Sequence, residues 1–143
     1  MGDFHQHGLI TTLHQLNNRP LEKLEADLMQ FRKHRPMALV LPSLYSELQG
    51  PALSSILEEI AEVPYLDQIV VGLDRANEAE YRHALEFFGA LPQQPQVLWN
   101  DGPRLRQIDA LLAEKGLAPK EAGKGRNVWY MFGYVLAAGK AQA

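Results

Sequence analysis

A chain of 143 residues, 46% hydrophobic with 14 basic and 17 acidic side chains, has the length of one domain and the composition of an ordinary globular protein. The net charge of −3 argues against a general nucleic-acid binder. With no apolar run near the roughly 18–20 residues of a bilayer span and no cysteine, the sequence also argues against a membrane helix, disulfides, thiol nucleophiles and cysteine-based zinc sites.

Residues 1–18 mix apolar and polar types without a clean period and read as an arm or short helix; they show no basic-then-apolar signal, so the expected address is cytoplasmic. From Pro20 a helical period begins, with Leu21, Leu24, Leu28 and Phe31 on one face, Asn18 as cap and the basic cluster Arg32–Arg35 as a solvated end. Met37–Leu41 is a short apolar run suited to a doubly buried strand, ended by Pro42. Gly50-Pro51 opens a helix to about Glu62 whose stripe is Leu53, Ile56, Leu57 and Ile60. Gln68–Leu73 is a second strand, Asn77–Phe88 a helix, and Gln96–Trp99 a third strand. Asp101-Gly102-Pro103 starts a helix with Leu105, Ile108, Leu111 and Leu112 facing the core. A polar loop, Gly116–Gly125, precedes a last helix near Arg126–Ala138, which Gly139 stops.

This alternation predicts an α/β fold: a three-layer, mostly parallel sheet with crossover helices. Residues 1–36 form an arm and helix, and 37–143 the α/β unit. Ligands of such sheets bind beyond the carboxyl ends of the strands. That rule directs attention to Pro42–Gly50, Leu73–Asn77, Asn100–Pro103 and the loop before the last helix.

In that last loop stands Gly123-Lys124-Gly125-Arg126-Asn127. Two glycines let backbone amides approach a ligand, the helix mouth adds positive potential, and Lys124 and Arg126 offer mobile charge to phosphates. The spacing fits neither a Walker A loop nor a dinucleotide fingerprint, and a loop with merely solvated charges is an equal alternative. Glu47, Asp74 and Asp101 follow three successive strands. Each has a capping explanation, but together they suggest a polar crevice for nucleotide hydroxyls and N–H groups. His5, His7, His14, His34 and His83 make no metal spacing, and the serines lack a nucleophile-elbow context. Trp129, Tyr130, Phe132 and Tyr134 read as core packing of the last helix in preference to base stacking.

The order Val40-Leu41-Pro42…Glu47, Ile69-Val70-Val71…Asp74, then Gly123-Lys124-Gly125 resembles the nucleotide-binding half of a GT-A glycosyltransferase. The likeness is to enzymes making glucosyl-3-phosphoglycerate or mannosyl-3-phosphoglycerate, and it covers about 37–143. It implies that Pro42, Ser43, Leu44 and Glu47 line a uridine or guanosine pocket, that Asp74 reaches the base, and that Lys124 and Gly125 contact the diphosphate. The second motif departs from the family's adjacent acidic pair, since Gly72-Leu73-Asp74 stands in its place.

The family's Asp-x-Asp motif, which holds Mg²⁺ or Mn²⁺ against the donor diphosphate, would follow Ala143. The resemblance therefore implies the donor-binding part of a longer enzyme, inactive alone, binding nucleotide weakly at best, and without metal ligands of its own. It implies a UDP- or GDP-linked sugar as partner, and self-association through a bared edge of the first strand or through exposed faces of the last helix. The rival classes are a non-catalytic nucleotide-binding module and a protein-interaction α/β domain.

Overall fold

The computed structural model describes residues 19–119, 121 and 123–143; the arm, its three histidines and the cap expected at Asn18 lie outside them. In chain order come α1 (Leu21–Phe31), β1 (Ala38–Leu44), a short 3₁₀ helix (Tyr45–Gln49), α2 (Pro51–Ala61), β2 (Gln68–Asp74), α3 (Glu78–Gly89), β3 (Gln96–Trp99), α4 (Pro103–Glu114) and α5 (Lys124–Ala138). The three strands form one open parallel sheet in the order β1-β2-β3, with Pro42 opposite Gly72 and Leu44 opposite Asp74.

β2 is central and buried along its whole length. Its alternation divides the core between two faces. Ile69, Val71 and Leu73 pack with Leu53 and Leu57 of α2 and Ala84 and Phe88 of α3. Gly72 faces Met131 and Asn127 of α5 on the other side. Helices thus cover both faces, giving the three layers expected.

Several local expectations are revised. Pro42 does not end β1 but lies inside it. Within the described sheet β1 is an edge strand, where a missing ladder donor is tolerated. The stretch after β1, expected as a loop, winds into the 3₁₀ helix. The expected core face of α4 is not buried: Ile108 and Leu111 are exposed, and no residue of that helix is fully covered. α1 likewise leaves Leu21, Leu24 and Phe31 exposed, and on α2 Ile56 is exposed while Leu53 and Leu57 are buried.

Arg32, expected in a solvated helix end, is a strut. Its guanidinium donates to the Pro64 carbonyl and pairs with Asp67 at 2.6 Å, while Asp67 also accepts from the Met37 amide at 3.0 Å. This ties the segment after α1 to the start of β2. The aromatic cluster of α5 splits: Tyr130 is buried, but Trp129 and Phe132 are exposed. α5 ends as expected, with Gly139 in the left-handed region at φ 61°.

Candidate functional site

At the carboxyl ends of β1 and β2 the chain encloses a cavity of about 200 Å³ lined by Pro42, Ser43, Leu44, Glu47, Asp74, Arg75, Gly123, Lys124 and Asn127. Six of the seven residues that the resemblance assigns to the nucleotide pocket meet here. The seventh, Gly125, does not line it and faces a neighbouring depression with Arg126 and Trp129.

The first wall is made by the turn out of β1. Glu47 sits in the 3₁₀ helix, and its Oε2 accepts from the Leu44 amide at 2.8 Å and from Ser43 Oγ at 3.2 Å. One carboxylate oxygen therefore caps the turn and holds the buried Ser43. The other oxygen has no hydrogen-bond partner among the described residues. Glu47 combines the capping role with a free acceptor at the rim.

The second wall is the end of β2. The Asp74 carboxylate is only 7% exposed and lies 3.5 Å from the Arg126 guanidinium, whose other side is 3.7 Å from Asp109 of α4. Arg126, expected to supply mobile charge, is instead 16% exposed and held between two carboxylates. Arg75, which the sequence reading did not single out, follows with φ 56° and donates its amide to Asp74 Oδ1 at 3.3 Å. A non-glycine residue in the left-handed region is uncommon and is found enriched at functional turns.

Asp101 is a correction. It does not line the cavity; its Oδ2 accepts from the Ala76 amide at 3.1 Å, while Trp99 Nε1 donates to the Ala76 carbonyl at 2.7 Å. The end of β3 thereby fixes the turn after β2, and the crevice has two acidic walls where three were expected.

The third wall is the mouth of α5, which begins at Lys124, two residues earlier than expected. Helix geometry leaves the amides of Lys124, Gly125 and Arg126 without intrahelical acceptors, the first bond being Asn127 N–H to the Gly123 carbonyl at 3.0 Å. A Cβ at Gly123 or Gly125 would meet nothing within 4 Å, so packing does not demand glycine there. The effect is to leave the approach to those amides open. Lys124 is exposed and makes no ion pair among the described residues.

Asn127 was the second residue missed as a wall of the site. It is buried, and its Nδ2 donates to the Gly72 carbonyl at 2.7 Å, pinning the helix mouth to β2. A Cβ on Gly72 would stand 1.8 Å from Asn127 Oδ1. The signal was present: a glycine inside an otherwise apolar strand marks the close approach of another group.

The two carboxylates do not form a cradle for a divalent cation, because Asp74 faces a guanidinium and one oxygen of Glu47 is engaged. Among the described residues no three histidine or acidic side chains gather into a metal-holding group. No helix among them is long and apolar enough to cross a membrane.

The chain matches no protein-family profile, and no solved structure matches it. Two curated proteins do. A glucosyl-3-phosphoglycerate synthase of Persephonella marina is 43% identical over 143 residues, all of this chain. This chain is related to the glucosyl-3-phosphoglycerate synthases. A second such synthase, from Methanococcoides burtonii, is 35% identical over 132 residues, 92% of the chain. The chain spans about a third of the length of these relatives, 36% and 32% respectively. They are glycosyltransferases, as the V-L-P…E and G-K-G motifs implied, and the likeness extends beyond the motifs into residues 1–36.

Proposed function

We propose that the cavity binds the nucleotide part of a UDP- or GDP-linked sugar, and that this chain is the donor-binding portion of a glucosyl-3-phosphoglycerate synthase-like enzyme of the GT-A type. One observation carries the reading: Lys124, at the open mouth of α5, shares a cavity with acidic residues at the tips of two adjacent parallel strands. Pro42, Ser43 and Leu44 offer an apolar and hydroxyl-bearing wall to a nucleoside. The unengaged oxygen of Glu47 accepts from a ribose hydroxyl or base N–H, and Asp74 reaches the base. Lys124 and the amides beside Gly125 meet the diphosphate, where fixed positive charge is most effective. At about 200 Å³ the cavity is smaller than the ~300–1,000 Å³ of typical small-molecule sites, which suits the nucleoside end of the donor.

Sugar transfer releases a nucleoside diphosphate, and Mg²⁺ or Mn²⁺ stabilises such a leaving group when bound. We assign no ligand of that ion to the residues described here. Calorimetric titration of the 143-residue chain with UDP and GDP is expected to show saturable binding of one of them that Mn²⁺ does not strengthen, and no glucosyl transfer to 3-phosphoglycerate. Absence of binding by either nucleotide would overturn the assignment of the cavity. Metal-dependent transfer by the purified chain would overturn its restriction to donor binding.

Self-association has separate support. Phe132 and Leu136, 52% and 82% exposed, border a depression with Ala38 and Val40 of the β1 edge and with Ala141–Ala143. The Ala38 amide is taken by the Ala143 carbonyl at 2.7 Å, and Gln142 N–H donates to the Pro36 carbonyl at 2.7 Å. Beyond Ala38 the edge and its apolar flank are suited to a second copy of the chain. Sedimentation is expected to find dimers that Leu136→Glu converts to monomers; a monomeric wild-type chain at high concentration would refute the contact.

A further inference from the structure

We propose that Arg126 is a positioning residue which neutralises Asp74 from behind the cavity wall, so that this buried carboxylate serves as a hydrogen-bond acceptor without repelling a phosphate-bearing ligand. The inference rests on the nucleotide reading of the cavity and adds to it a residue that does not line the cavity itself. Arg126 and Lys124 are two positions apart on α5, a spacing that sends side chains in divergent directions. Lys124 reaches the cavity, whereas Arg126 turns toward Asp74 and Asp109.

The geometry is that of a compensating charge and not of a tight fork. The contacts at 3.5 and 3.7 Å exceed the ~2.7–2.9 Å of charge-assisted hydrogen bonds, and Arg126 Nε is buried without a partner. The guanidinium is shared between Asp74 in the wall of the cavity and Asp109 of α4. An Asp74 carboxylate this well covered, left unpaired, would oppose an incoming anion. At an effective dielectric of ~20, such repulsion within about 10 Å corresponds to at least about a tenfold loss of affinity.

The test compares a neutral and a charged ligand, uridine and UDP (guanosine and GDP if the chain prefers guanine), on the whole chain. Arg126→Gln is expected to weaken nucleoside diphosphate at least about tenfold and nucleoside less than about threefold. Arg126→Lys, which keeps the charge, should stay within about threefold of wild type for both. If Arg126→Gln fails to fold, the doubly neutral Asp74→Asn/Arg126→Gln chain, which has no unpaired buried charge, supplies the comparison. Its ratio of diphosphate to nucleoside affinity should match or exceed that of wild type. Equal losses for both ligands, no rescue by lysine, or a depressed ratio in the doubly neutral chain would each overturn the proposal while leaving the nucleotide site standing. Failure of the wild-type chain to bind either ligand would remove the site and the proposal together.

Discussion

Gly72→Ala is expected to destabilise the protein by about 3–5 kcal/mol in a urea unfolding experiment, combining overpacking with loss of a buried hydrogen bond. The new methyl would stand 1.8 Å from Asn127 Oδ1 and 2.9 Å from Met131 Sδ. Methionine adapts, but the carboxamide has no such freedom while its Nδ2 is bonded to the Gly72 carbonyl. Asn127 must then leave its place and α5 must shift from β2. Asn127→Ala alone should cost about 1–3 kcal/mol, the penalty for stranding a buried carbonyl. In the Gly72→Ala/Asn127→Ala chain the methyl enters the space the carboxamide vacates, so the pair should be less destabilised than the sum of the singles by more than about 1 kcal/mol. Additive losses would mean that the contact between strand and helix is not the source of the effect.

Lys124→Gln should behave in the opposite way, sparing stability and removing affinity. The side chain is exposed and unpaired among the described residues, so unfolding should change by no more than about 0.5 kcal/mol. A charge-assisted bond to phosphate corresponds to about 10–100-fold in affinity for UDP or GDP, with little change for the parent nucleoside. Titration of both ligands separates these outcomes, and an unchanged affinity for the diphosphate would displace Lys124 from its assigned role. High salt should shrink the difference between wild type and variant, because Lys124 stands where counterions reach it.

The sheet was legible because its strands are short apolar runs bracketed by proline, glycine and acidic residues. Only β2 is buried throughout, while β1, expected to be covered on both faces, is half-buried because it stands at the edge. Pro42 misled because proline ends strands in a sheet interior, and nothing local to the residue says that β1 stands at an edge. The helix faces were less secure. Leu105, Ile108, Leu111 and Leu112 have the spacing of a buried stripe, yet periodicity reports only that a face is apolar, not that a neighbour covers it.

The convergence of the motif residues on one cavity was legible because the strand tips and the mouth of the last helix lie at the same end of a parallel sheet. Asn127 belongs to the glycine-flanked motif, but its partner Gly72 lies 55 positions away, and only folding brings the two together. Arg126 was misjudged for the same reason: whether a cation is free or held depends on Asp109 and Asp74, which come from other elements.

The cavity draws its walls from three stretches of chain, 42–47, 74–75 and 123–127. No single βα unit supplies all three, so the cavity is complete only once the last helix has docked. Occupancy is then thermodynamically linked to the whole folding equilibrium. A ligand present at about a hundredfold over its dissociation constant would add about 2.7 kcal/mol to the resistance of every core strand to unfolding, including strands it never touches.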